Sequence, residues 1–165
     1  MDLIESFATA TFPYDPLKQP PLHPVTFYNI KTQVPVKIDV MPDTGATASV
    51  LDMKYAKLLG IDESNSQPSS ILGIGDKERV GFVAQIPMRI ANLAPVAVHV
   101  NFIPNMPTNV LGRMQGLSHY RTTFTWEKLY YEELFAKQQE LKLLQIVKKA
   151  VGLANSYVVL NGRRR

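Results

Sequence analysis

One acidic residue, Asp43, stands in the run Met41-Pro42-Asp43-Thr44-Gly45-Ala46 between two apolar segments. A carboxylate in such a place is costly to bury unless it is paired or used. Amide hydrolysis by acid–base catalysis needs one carboxylate to take a proton from water and one carboxylic acid to protonate the carbonyl oxygen. Two carboxyls held side by side meet both needs, because their repulsion makes the pair share a single proton. Asp43 could supply one of them. Thr44 offers a hydroxyl able to lock the loop by hydrogen bonding, Gly45 lets backbone pass close by, and Ala46 keeps the floor of the site low. Read alone, an Asp before Gly is more often a turn or cap, so the case depends on the surroundings.

No other constellation competes. His23, His99 and His119 fall in separate segments, so no metal site is expected. Ser49 and Ser118 lack any motif that would make a nucleophile. The chain has no cysteine, which removes disulfides, thiolate ligands and a Cys nucleophile. Gly73-Ile74-Gly75 is followed by neither Gly-Lys-Ser/Thr nor the rest of a G-x-G-x-x-G pattern, so it is not a phosphate loop.

The elements that must position Asp43 are mostly strands. VTFYNI (25–30) and VPVKIDVM (34–41) alternate and are joined by Lys31-Thr32-Gln33, which predicts a hairpin. In ASVLDMKYAKLLGI the period changes: Asp52 is the expected N-cap and Gly60 the stop of a short helix. Residues 62–70 read as loop, and 71–90 as a strand, a glycine-rich tip and a returning strand. PVAVHVNFI (95–103) and RTTFTW (121–126) read as further strands, with a short helical segment expected within 108–120. Beyond Trp126 proline disappears and helix formers dominate, with Leu134, Leu141, Leu144, Val147 and Val151 near one helical face. The stretch 127–134 is also compatible with strand.

Three blocks now stand in order: Asp43-Thr44-Gly45-Ala46, the glycine-tipped hairpin Ile71-Leu72-Gly73-Ile74-Gly75-Asp76, and Asn109-Val110-Leu111-Gly112-Arg113. In this combination the sequence resembles the retropepsin-like, or retroviral-type, aspartic proteases over roughly residues 25–126, and looks most like short stand-alone microbial members or a retroelement relative. The resemblance implies a mainly β fold, a closed retropepsin-like acid-protease barrel with one or two short helices. It also implies that Asp43 is catalytic, with Thr44 gripping the second chain and Gly45 meeting substrate backbone. Residues 71–76 would be a flap that closes over substrate, and Gly112 and Arg113 a structural pair. Since the chain holds one such Asp loop, activity requires a homodimer with one Asp43 from each subunit. Leu72, Ile74, Val83 and Val110 are available to line apolar subsites. The chain departs from the family pattern at Pro42, where an aliphatic strand residue is usual, at Thr47, where an acid often faces the Arg, and at Met114.

Composition sets the remaining bounds. With 165 residues, 45% hydrophobic and 19% charged, the chain suits one domain with an appendage. The division expected is a Pro-rich arm (1–24, with five of the twelve prolines), a protease domain (25–126) and a helical basic extension (127–165). Residues 1–126 hold ten basic and ten acidic residues, so the net charge of +4 comes from the tail ending Arg163-Arg164-Arg165. The N-terminal residues lack the basic start of a signal peptide, and no apolar run reaches the ~18 residues of a membrane helix; a cytoplasmic location is expected. The function expected is an aspartic endopeptidase without cofactor or metal, with a peptide or protein substrate. Membrane and nucleic acid are not expected as partners. A binding module that keeps the fold without catalysis, recruiting an acidic partner through its basic tail, is the other reading.

Overall fold

The computed structural model describes residues 9–15, 17, 21–72 and 78–133. Alternation of apolar and polar residues makes most of these strands. In order they are β1 (Thr9–Pro13), β2 (His23–Tyr28), β3 (Pro35–Asp43), β4 (Ser49–Asp52), β5 (Gln67–Leu72), β6 (Glu78–Arg89), β7 (Val96–Ile103), β8 (Val110–Gly112), β9 (Tyr120–Phe124) and β10 (Lys128–Glu133). One helix, α1 (Lys54–Leu58), and two 3-10 turns, Glu63–Asn65 and Leu117–His119, complete them.

The larger sheet runs β2-β3-β8-β4-β7-β6-β5, and a pairing of β2 with β6 through Thr26↔Arg89 and Phe27↔Met88 closes six of its strands into a barrel. β5 lies outside the closure and, among the described residues, pairs with β6 alone. The barrel is filled by Val25, Phe27, Ile38, Val40, Leu51, Ile86, Met88, Val100 and Leu111, with Phe82 and Phe102 stacked at 5.3 Å between centroids. β3 meets β8 in parallel, an arrangement that brings distant segments together at their C-terminal ends.

Several expectations are corrected in detail. Residues 67–70, read as loop, open β5; their polar side chains are tolerated because β5 is an edge strand, where Pro68 need not donate. Within 108–120, Val110–Gly112 form the short strand β8, and the short helical segment expected there is the 3-10 turn Leu117–His119. Asp52 is not the N-cap: Met53 holds that position without a side-chain cap, and Asp52 ends β4. Its carboxylate still accepts the Lys54 N–H at 2.9 Å, and also the Met106 N–H at 2.9 Å. Gly60 does end the helical segment, at φ +74°, where a Cβ would lie 2.6 Å from Asn29 Oδ1.

A second, three-stranded sheet has the order β1-β10-β9. The stretch for which the sequence left helix and strand open is thus strand over 128–133, because Leu129 and Tyr131 bury one face of a two-residue period. Residues 134–165 form a separate unit; the helix expected there lies outside the described residues. Among the described residues no helix is long and apolar enough to cross a membrane.

The two sheets of the first unit meet at His23. Its ring is 2% exposed, stacks on Phe12 at 4.4 Å and has Nε2 at 2.6 Å from Tyr131 Oη. Burial lowers its pKa to about 4, against weaker opposing effects of the Pro24 carbonyl and Asp39. The unfolded chain therefore takes up this proton first as pH falls. Stability is full above pH 6.5 and drops by roughly 3 kcal/mol on reaching pH 4, where the folded ring also titrates. Urea unfolding across pH 4–7 should show this loss, and His23→Asn should flatten the slope; an equal slope in both proteins would refute the assignment.

Candidate active site

β3 ends at Asp43, and the chain then turns through Thr44, Gly45 and Ala46 before entering β4 at Ser49. The turn is closed by the aspartate itself: Oδ1 accepts the Gly45 N–H at 2.8 Å and the Ala46 N–H at 3.2 Å. Oδ2 accepts no hydrogen bond among the described residues, and the side chain is partly exposed. One oxygen is thus held by backbone while the other is left for chemistry. Gly45 carries a close approach, since a Cβ there would stand 3.2 Å from Oδ1.

β8 supports this loop from beneath. Asp43 is in register with Gly112, the Arg113 N–H donates to Ala46 O at 2.8 Å, and the Met114 N–H to Thr47 O at 3.0 Å. Gly112 can only be glycine, because a Cβ would fall 2.2 Å from Ala48 O and 2.3 Å from its carbonyl carbon. Its own N–H donates to the buried Ser49 Oγ at 3.0 Å. Asn109 ties the base together: its Oδ1 accepts the Asp52 N–H at 2.9 Å and its Nδ2 donates to Asp39 O at 3.0 Å.

The structure brings Asp43, Gly45, Ala46, Gly112 and Arg113 into one place. Arg113 contributes through its backbone, while its side chain is exposed. Thr44 is exposed and its hydroxyl makes no hydrogen bond within the described residues, so the loop lock falls to Asp43 Oδ1 and the backbone of 113–114. Pro42 costs no ladder bond. Met41 N–H points to β8, donating to Asn109 O at 2.8 Å, so the next N–H position faces β2, whose pairing ends at His23↔Val40. Ile71 and the exposed Leu72 end β5; Gly73, Ile74, Gly75 and Asp76 lie outside the described residues. Val110 sits beside Met41. Val83 instead lines a cavity of about 360 Å³ with Ile30, Gly60 and Ile61, to which none of residues 43–46 contributes. Among the described residues no cluster of His, Cys, Asp or Glu could hold a metal ion.

Sequence reasoning does not foresee the supporting hydrogen bonds of Ser49, Asn101 and Asn109, although it considers Ser49 as a nucleophile and Asn109 opens the Gly-Arg block. The available signal was a polar residue inside an apolar run, as in Val98-His99-Val100-Asn101-Phe102.

The sequence profile described as aspartyl protease matches residues 26–114, more than half of the chain. The chain belongs to the aspartyl protease family. No match is found among curated protein sequences. Among solved structures, the chain is similar to a retropepsin-like aspartic protease from Rickettsia conorii, at 17% identity and a TM-score of 0.52, over 74% of this chain and 98% of that one. It also matches EIAV protease complexed with the inhibitor HBY-793, at 23% identity and a TM-score of 0.44, over 61% and 88% of the two chains. The fold of this aspartyl protease family member is retropepsin-like, as the sequence led us to expect.

The crossing of Gly112 over Ala48 is the tightest point of the site. Gly112→Ala should lower stability by about 2 kcal/mol or more, the scale of forced overpacking, in chemical denaturation. A stability within ~0.5 kcal/mol of wild type, the usual range for a surface change, would mean that the crossing is not held so closely.

Proposed function

We propose that this chain is an aspartic endopeptidase that works as a homodimer, with Asp43 of each subunit meeting at a shared site. The observation that carries the reading is the asymmetric state of the Asp43 carboxylate: Oδ1 fixed by two backbone N–H groups, Oδ2 free of hydrogen bonds among the described residues, and the group partly exposed. The membership of the chain in the aspartyl protease family supports it further.

A single carboxyl cannot act as acid and base in the same step, and each chain carries one Asp-Thr-Gly loop. Two copies related by a twofold axis supply the pair. Repulsion between the carboxyls leaves one proton on the dyad. The ionised Asp43 takes a proton from a water, the water oxygen attacks the peptide carbonyl carbon, and the protonated Asp43 of the other copy gives its proton to the carbonyl oxygen. Collapse of the tetrahedral species breaks the C–N bond, with a proton passing to the leaving amine. The β5–β6 hairpin would cover the substrate, with residues 71–76 as the flap. Thr44, exposed and without a hydrogen bond among the described residues, would contact the second chain. The chemistry needs no metal or cofactor.

Purified wild type and Asp43→Asn, incubated with a diverse peptide mixture between about pH 4 and 7 and read by mass spectrometry, test this. Wild type should cleave, and the variant should lose roughly a thousandfold or more. Mixed dimers carrying one Asp43→Asn copy, isolated with two affinity tags, should be as inactive as the double variant. Half the wild-type activity in the mixed dimer would overturn the shared site, and no cleavage by a demonstrably dimeric wild type would overturn catalysis.

A further inference from the structure

Among the described residues the buried polar side chains are His23, Ser49, Asp52 and Asn101. Ser49 and Asn101 belong to a line of hydrogen bonds that the chemistry above does not use. Asn101 interrupts the apolar end of β7 and is 5% exposed. Its Oδ1 accepts from Ser69 Oγ at 2.6 Å, and its Nδ2 donates to Ser49 O at 3.2 Å. Ser49 Oγ accepts the Gly112 N–H at 3.0 Å, and Gly112 lies in register with Asp43. β6 runs between β5 and β7, with Gly81 opposite Ser69 and Val83 opposite Asn101, so the Ser69–Asn101 bond crosses diagonally over β6. The line begins on β5, two residues before Ile71, and ends on the strand beside the aspartate.

A buried amide is tolerated only when both its ends are satisfied, as they are here. An apolar residue of the same volume would fill the space without that requirement. The amide is therefore explained by what it joins. Hydrogen bonds are directional and fix the relative slide of two strands, which apolar contact does less well.

We propose that Asn101 is a positioning residue, which holds β5 in register with the loop that carries Asp43. Seating of a substrate under the hairpin and the geometry of the carboxylate are then set through one connection. The proposal rests on the reading of Asp43 as catalytic and of the β5–β6 hairpin as the substrate cover, and it adds a residue distant in sequence from both.

Two substitutions separate this from a structural role. Ser69→Ala cuts the link on the hairpin side and leaves Asn101–Ser49 intact; Asn101→Leu removes both bonds while keeping the number and branching of side-chain heavy atoms. Ser69→Ala should raise KM roughly three- to tenfold with kcat unchanged, and Asn101→Leu should raise KM at least as much and also lower kcat. The double variant should be no worse than Asn101→Leu, since the two changes break one connection. Amide exchange gives a readout without activity: Ser69→Ala should speed exchange in residues 67–72 and also across the barrel in 110–112. A silent Ser69→Ala in kinetics and exchange, or fully additive KM effects, would overturn the proposal. Exchange coupling in a wild type that cleaves nothing would leave the connection standing and sink only the catalytic reading.

Discussion

Everything around Asp43 depends on the backbone of β8 passing against the backbone of residues 46–49 with no side chain between them. At Gly112 a Cβ would overlap Ala48 O and leave no route for relief, since the obstructing atoms are main chain. The close passage lets the Arg113 and Met114 N–H groups reach the carbonyls of Ala46 and Thr47, and lets the Gly112 N–H reach Ser49 Oγ. Buried backbone groups need such partners. The loop can therefore be sharply turned, and hold an acidic side chain at its head, without orphaned donors below it. The parallel pairing of β3 and β8 is the form of this constraint at the scale of the sheet.

The second theme is how polar groups are carried inside an apolar barrel. Asp52, Asn109, Asn101 and Ser49 each bind backbone or side-chain partners from segments remote in sequence. Each such bond is worth little net, yet a broken one is expensive. Their effect is to select one arrangement of strands over near alternatives that would bury the same apolar area. Apolar packing supplies the cohesion of the barrel, and the polar contacts specify which strand ends converge.

Much of this architecture was legible in the residues. VTFYNI, VPVKIDVM and PVAVHVNFI declare themselves by alternation, and Gly60 by its place after an apolar turn. Of β5 only the end, Ile71-Leu72, did so, because Gln67-Pro68-Ser69-Ser70 has the composition of a loop and becomes strand only through pairing with β6. The short helical segment read within 108–120 is no more than a 3-10 turn for a related reason. Val110–Gly112 is claimed by β3 and β4, leaving too few residues for more than a 3-10 turn. At the site, Asp43 and Gly112 could be singled out together only through the resemblance to a family, since nothing local links positions so far apart. Asn101 and Ser49, 52 positions apart, carry no joint mark in the sequence at all. Pro42 shows the reverse case: a residue that looks disruptive in the sequence is harmless once the direction of its missing donor is known.

His23 gives the molecule a sensitivity in time as well as in free energy. Its ring sits where β1 and β10 meet β2, so any opening of that seam exposes it to solvent. In acid the exposed ring captures a proton, and above about pH 4 the closed seam holds the ring mainly without it. Between pH 6.5 and about 4 the open population grows up to roughly tenfold for each pH unit. An open seam also frees the three-stranded sheet, whose edge strands are β1 and β9, to meet other copies, and such edges are templates for strand addition. Prolonged acid exposure should therefore end in aggregates built through these strands, with the barrel around Asp43 still folded inside them.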